Sequence, residues 1–190
     1  EIVVFGIESG SPTMLKIMEK KIKLEQNIAA LKSTYEAGLA TITQLVIGMP
    51  GETDQTINET IDFVITTLPY THENRKKTMN LAISINYAQA LPGTPLYEYA
   101  REKGYIGKDI QSEEEYLIDV SDKNAHEGNQ YINYSQQPLL KVLSWKHQIL
   151  WEAFRAHYNI NVKLNLSKIK IFFSIPIYII NKFFNFNFKY

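Results

Sequence analysis

The sequence predicts an α/β protein built on a parallel sheet, and three observations carry that prediction. Strand-like runs end near residues 7, 47 and 87, an interval of about 40 residues. Stretches with apolar residues three and four apart fill each interval, which is the helical period. Each strand stops at a cluster of Gly, Pro, Ser or Thr, the residues that turn a chain and start a helix. Strand–helix alternation of this kind gives a parallel sheet with right-handed crossovers. The interval is somewhat longer than the roughly 31 residues per unit of a minimal eight-fold barrel of about 250 residues.

The elements follow in order. Residues 2–7 (I-V-V-F-G-I) are almost all apolar, which suits a strand buried on both faces. Ser11 then serves as an N-cap and Pro12 takes the first helical position, where its missing N–H costs little. A second helix is expected over 24–37, with Ile28, Leu31 and Tyr35 on one side and Gly38 at the position that favours a left-handed residue. Leu45, Val46 and Ile47 form the next strand, closed by Gly48-Met49-Pro50-Gly51-Glu52-Thr53. Thr53 is the N-cap of a helix over 54–68, with acidic Glu52 and Asp54 beside its positive end. Residues 69–77 are polar and turn-like. Residues 79–87 alternate apolar and polar, the strand period. Thr94 caps and Pro95 opens a helix ending near Gly104. From 108 to 137 the chain is polar, and a surface loop region with a short helix at most is expected. Residues 138–158 form an amphipathic helix. The expected division is therefore residues 1–105 as the α/β part and 106–190 as a mostly helical extension.

Composition bounds the function. Apolar residues make up 45% of the 190, enough for a core, so disorder is not the default. Lys plus Arg equals Asp plus Glu at 20 each, which supplies no general electrostatic argument for nucleic acid. There is no cysteine, which excludes disulfides, thiolate metal sites and a cysteine nucleophile within this chain. The four histidines, His72, His126, His147 and His157, show no metal-ligand spacing. Glu113, Glu114 and Glu115 read as a solvated face. In the tail the longest apolar run, 171–180, is interrupted by Ser174 and Pro176 and falls short of the roughly 20 residues that span a bilayer. The opening residues lack a secretory signal and start inside a strand without an initiator Met, so an earlier part is expected to be missing.

Three strand ends are candidate sites. Glu8, after the first strand and followed by Ser9 and Gly10, can accept hydrogen bonds from both hydroxyls of a ribose, or can face a helix N-terminus. Gly48 after the second strand can let a planar ligand approach the backbone, or can serve a plain strand-to-helix turn. Tyr87 and Gln89 after the third can flank an adenine, or Tyr87 can be core and Pro92-Gly93-Thr94-Pro95 a helix start. Taken one at a time, each is more simply structural.

Together they change the reading. F-G-I-E-S-G-S, then G-M-P-G-E-T, then L-P-G-T-P-L-Y, over about residues 1–105, resembles the carboxyl-terminal half of a radical S-adenosylmethionine (SAM) enzyme core. The likeness is strongest to the group that often carries a cobalamin-binding domain before that core. Lys20 or Lys21 matches the group's lysine after the first helix. The resemblance implies the carboxyl-terminal part of a partial (β/α)6 TIM-like barrel. It implies SAM as cofactor, a 4Fe-4S cluster held by a C-x-x-x-C-x-x-C loop, and reductive cleavage of SAM to a 5′-deoxyadenosyl radical or cobalamin-assisted methyl transfer. Glu8 and Ser9 would then lie at the ribose, and Val46, Gly48, Tyr87 and Gln89 on the adenine side. It further implies a cytoplasmic protein with a flavodoxin- or ferredoxin-type electron donor and a small-molecule or lipid-like substrate. The cluster loop is absent here, and only three of six strands are expected. A methylthiotransferase of the same superfamily is the second reading, since such cores share P-G-E-T. A non-catalytic α/β domain that binds a partner or membrane surface through its last helix and tail is the third.

Overall fold

A computed structural model of the chain describes residues 1–72, 82–121, 125–128 and 131–158. The β-branched run at the amino end forms strand β1 (Ile2–Glu8), followed by helices α1 (Pro12–Ile17) and α2 (Leu24–Glu36). Strand β2 (Ala40–Ile47), helix α3 (Asp54–His72) and strand β3 (Ile83–Tyr87) complete the alternating part. Helices α4 (Pro95–Glu102), α5 (Ile110–Ser121) and α6 (Leu139–His157) follow. The three strands form one parallel sheet in the order β1-β2-β3. This is the arrangement of consecutive β/α units in a partial TIM-like barrel.

The caps are as the sequence requires. Ser11 Oγ accepts from the Met14 N–H at 3.4 Å, and Thr94 Oγ1 accepts from Tyr97 N–H at 3.2 Å, each with proline opening the helix behind it. Gly38 has a φ of 76°, as a residue closing α2 should.

Side-chain alternation sorts the sheet into two unlike faces. Ile7, Leu45, Ile47, Ile85 and Tyr87 point to one side, where they share a core with Leu31 of α2, Ile57, Ile61 and Val64 of α3, and Val142, Trp145 and Ile149 of α6. The other face carries Gly6 and Glu8, Gln44 and Val46, and Ser84 and Asn86, and none of these is fully buried. β1 is consequently covered on one side only: Ile2 is 56% exposed and Val4 51%, where burial on both faces was expected. A second core lies at the carboxyl ends of the strands. It gathers Ala88, Ala90, Tyr97, Ala100, Ile106, Tyr116 and Tyr134, with Val46 and Tyr131 against it. Helix α6 belongs to the first core: Trp145 Nε1 donates to Asp54 Oδ1 at 2.9 Å, and Lys141 pairs with Asp54 at 2.8 Å.

Three further expectations are corrected. α3 runs past Leu68 through Pro69 to His72. Proline there removes one ladder bond near the helix end, and the buried hydroxyls of Thr67 and Thr71 bond back to carbonyls of the preceding turn. The polar stretch after 108 contains a twelve-residue helix, α5, rather than a short one at most. Asp109 starts it by accepting from Ser112 N–H at 2.9 Å, and Tyr116 anchors it by donating to Ala90 O at 2.6 Å. Glu113 is not simply solvated: it accepts from the Tyr97 hydroxyl and lies 3.7 Å from Arg101. The strand expected from residue 79 is described from Ile83, and residues 79–81 and the apolar tail lie outside the described residues. Among the described residues no helix is long and apolar enough to cross a membrane, and no group of three or more His, Cys, Asp or Glu is placed to hold a metal ion.

Candidate functional site at the strand carboxyl ends

The carboxyl ends of parallel strands are where β/α folds bind ligands, because the loops there are free of the ladder. At the end of β1 the pairing with β2 shifts register between Gly6 and Glu8. Glu8 itself has a φ of 68°, in the left-handed region that costs a non-glycine residue energy. The bend turns its carboxylate back over Gly6, where a Cβ would lie 3.1 Å from Oε1. Lys20, beyond α1, donates to that oxygen at 2.9 Å. Glu8 is thus a half-buried carboxylate on the face opposite the first core, held from one side by a single lysine.

Ser9 and Gly10 turn the opposite way. The Ser9 hydroxyl is buried, lies 3.1 Å from Thr60 Oγ1 and accepts from Ser11 N–H at 3.1 Å. A Cβ on Gly10 would fall 2.4 Å from Phe63 Cβ and 2.7 Å from Thr60 Cα. Both residues therefore seat β1 on α3, and the Ser9 hydroxyl does not join Glu8.

The turn after β2 is organised by Glu52. Its side chain is 1% exposed and accepts from Gly48 N–H. Burial pushes its pKa up to about 7, against the lowering effect of the Gly48 and Met49 amides that bond it. The sequence had suggested only a charge beside a helix start. The Pro50-Gly51 reversal instead swings the carboxyl group inward onto the amides that the end of β2 leaves unpaired. Gly48 has a φ of 85°, and its carbonyl accepts from the Tyr131 hydroxyl at 2.5 Å. A Cβ at Gly48 would lie 2.5 Å from that hydroxyl. On that side the glycine makes room for a tyrosine of the chain itself. The Tyr131 ring lies 5.2 Å from that of Tyr87, whose hydroxyl donates to Leu143 O at 3.4 Å. Burial raises the pKa of Tyr131, and that of Tyr87 to about 12, so both hydroxyls stay protonated donors at neutral pH.

The structure therefore brings Glu8 and Val46 onto one face. It sets the Tyr87 ring on the helix side, linked to Gly48 through Tyr131. Gln89 follows half-buried in the loop. Sequence reasoning missed Tyr131 and also Asn86. The Asn86 Oδ1 is buried and without a hydrogen-bond partner among the described residues, on the same face as Val46. Strand alternation could have placed Asn86 on that face. Nothing local announced Tyr131, which is 83 residues from Gly48.

Parallel strands joined by helices, with a strained carboxylate at the carboxyl end of β1, are the architecture of a β/α-barrel protein. Residues 1–64 match the model of the radical SAM superfamily, so this part of the chain is similar to part of a radical SAM core. It is 37% identical over 103 residues to an uncharacterized methyltransferase of Pyrococcus horikoshii, covering 52% of this chain and 19% of that protein. It is 28% identical over 124 residues to a tRNA-2-methylthio-N(6)-dimethylallyladenosine synthase of Paracoccus denitrificans, covering 64% of this chain and 25% of that one. A threonylcarbamoyladenosine tRNA methylthiotransferase of Bacillus subtilis is 30% identical over 131 residues, covering 67% and 26%. The chain thus spans about a fifth to a quarter of the length of these relatives.

The family uses SAM and a 4Fe-4S cluster. The residues present fit the ribose of SAM: Glu8 is a carboxylate acceptor with lone pairs to spare. They do not fit the cluster, since the chain has no cysteine to supply the thiolates it takes, and no step is assigned through it.

Proposed function

We propose that this chain supplies the ribose- and adenine-binding strand ends of a radical SAM enzyme. The observation that carries the reading is the Glu8 carboxylate, turned by its left-handed backbone back over Gly6, on the face opposite the first core, and steadied by Lys20. Two oxygens there can accept from both hydroxyls of a ribose. Val46, beside it on β2, offers an apolar surface to the base. Lys20, 2.9 Å from Glu8 Oε1, fixes the carboxylate's rotamer. The radical chemistry is what SAM supplies when bound; this chain's part is to hold and orient the nucleoside. For the whole protein the proposed reaction is transfer of a methyl or methylthio group, in keeping with the names of the relatives. Cobalamin assistance and a flavodoxin- or ferredoxin-type electron donor belong to the same proposal. The cobalamin part rests on the likeness of G-I-E-S-G and P-G-T-P-L-Y alone.

The test is titration of the chain with 5′-deoxyadenosine, followed by NMR. Hydrogen bonds to a charged group contribute about 1.5–3 kcal/mol each. Glu8→Ala should weaken binding by roughly 10- to 100-fold, about 1.4 kcal/mol being one decade. Glu8→Gln, which keeps one acceptor oxygen, should do less. Unchanged affinity in Glu8→Ala, with the fold intact by circular dichroism, would return Glu8 to a purely structural role.

A further inference from the structure

From the end of α1 to the start of α2 the chain carries four lysines, Lys16, Lys20, Lys21 and Lys23, and all four border a cavity of about 500 Å³. β1 and β2 are parallel, so α2 has to return the chain to the start of β2, and its first residues lie at the carboxyl end of the sheet. The cavity therefore stands at the same end as Glu8. Lys20 joins the two: it lines the cavity and donates to Glu8 Oε1 at 2.9 Å. Its charge is thereby matched. Lys16, Lys21 and Lys23 are exposed and form no ion pair among the described residues. Buried Leu15, with Ile22 and Leu24, gives the lining an apolar part. Glu19 and Glu25 border it as well, and neither is paired with a lysine among the described residues.

We propose that this cavity binds an amphiphilic phosphate: a single phosphate group carried on an alkyl or prenyl chain. Its role, as the seat of the molecule to be modified, rests on the SAM reading, whereas its ligand follows from the cavity alone. The volume falls in the range of small-molecule sites, which are concave and largely apolar with a few placed polar groups. Lysine binds phosphate as a point charge, and the oxygens of one phosphate can accept from more than one ammonium group. Lys16, Lys21 and Lys23 supply those donors, and Leu15, Ile22 and Leu24 can cover the chain. A basic strip on a flat surface would suit a polyanion. Here the lysines rim a hollow, and the carboxylates of Glu19 and Glu25 oppose further negative charge, which favours one phosphate with an apolar body over a nucleic-acid backbone.

The experiment titrates octyl phosphate, inorganic phosphate and 1-octanol into the full 190-residue chain, followed by two-dimensional NMR. Octyl phosphate should bind roughly 10-fold or more tightly than either half-ligand, since each buried methylene strengthens binding by roughly 2- to 4-fold. It should shift the backbone amides between Pro12 and Glu25 that border the cavity. Lys16→Gln, Lys21→Gln and Lys23→Gln, all at exposed positions, should together weaken octyl phosphate by roughly 10-fold and leave 1-octanol unchanged. Ile22→Ser should weaken octyl phosphate and 1-octanol alike. Equal affinity for octyl phosphate and inorganic phosphate, full affinity in the triple variant, or shifts elsewhere in the chain would overturn the inference. So would a short oligoribonucleotide that moves the same resonances at lower concentration, which would make the lysines a nucleic-acid surface. 5′-Deoxyadenosine is titrated in parallel. Binding of octyl phosphate without the nucleoside would support the cavity and overturn the SAM reading, and the reverse would overturn the cavity alone.

Discussion

Replacing Gly48 by alanine is expected to destabilise the chain by about 2–5 kcal/mol, through two separable causes. The backbone φ of 85° is strained for any L side chain, at roughly 1–2 kcal/mol. The new methyl would lie 2.5 Å from the Tyr131 hydroxyl, and forcing such an overlap in a packed site costs about 1–3 kcal/mol more. Tyr131 cannot simply swing aside. Its hydroxyl donates to Gly48 O and accepts from Tyr134 N–H at 3.1 Å, and its ring rests on Tyr87. For a chain of this size a loss of that order lowers Tm by roughly 4–20 °C. A double-mutant cycle separates the causes: in a Tyr131→Ala background, Gly48→Ala should cost only the backbone part. Equal costs in the two backgrounds would show that Tyr131 does not press on Gly48.

Glu52 should give the chain an unusual dependence on pH. Its carboxyl pKa is raised by burial from an ordinary 4.5 to about 7. The native state therefore holds this proton more tightly than the unfolded chain does. The stability contributed is fully present below about pH 4.5 and is lost as pH rises through about 7. At about 1.4 kcal/mol per pKa unit, the whole change is on the order of 3 kcal/mol. Glu52→Gln retains an acceptor for Gly48 N–H and removes the titration. Urea unfolding at pH 5 and pH 8 should show the wild type losing on the order of 3 kcal/mol more than Glu52→Gln across that window. Parallel pH profiles would mean that water reaches the carboxyl group. Glu52→Ala, which leaves buried amides without an acceptor, should be destabilised by about 1–3 kcal/mol at either pH.

What the sequence disclosed follows from how local each cause is. The N-caps at Ser11 and Thr94, the glycine at 38 and the strand ends near 7, 47 and 87 are decided by neighbouring residues, and they stand where the pattern put them. α5 was understated because its few apolar residues sit among glutamates, and its anchor, Tyr116 on Ala90 O, reaches back 26 residues. Pro69 misled for a physical reason: it weakens a helix, but near the end of one it removes little. The site divides in the same way. Glu8 was legible as a carboxylate at a strand end. That Ser9 turns away from it depends on Thr60, and that Gly48 is covered depends on Tyr131, both far along the chain. The role of Glu52 was hidden because a glutamate before a helix has a ready surface explanation, whereas its burial is set by the turn that folds over it.

The central claim, that Glu8 holds the ribose of a bound nucleoside, is tested most directly by altering both partners of the hydrogen bonds. 5′-Deoxyadenosine and its analogue lacking the 2′- and 3′-hydroxyls are each titrated into the wild type and into Glu8→Ala. If Glu8 accepts from the diol, removing the hydroxyls should weaken binding to the wild type by roughly 10- to 100-fold and should matter little to Glu8→Ala. The same loss in both proteins would place the ribose elsewhere and contradict the assignment.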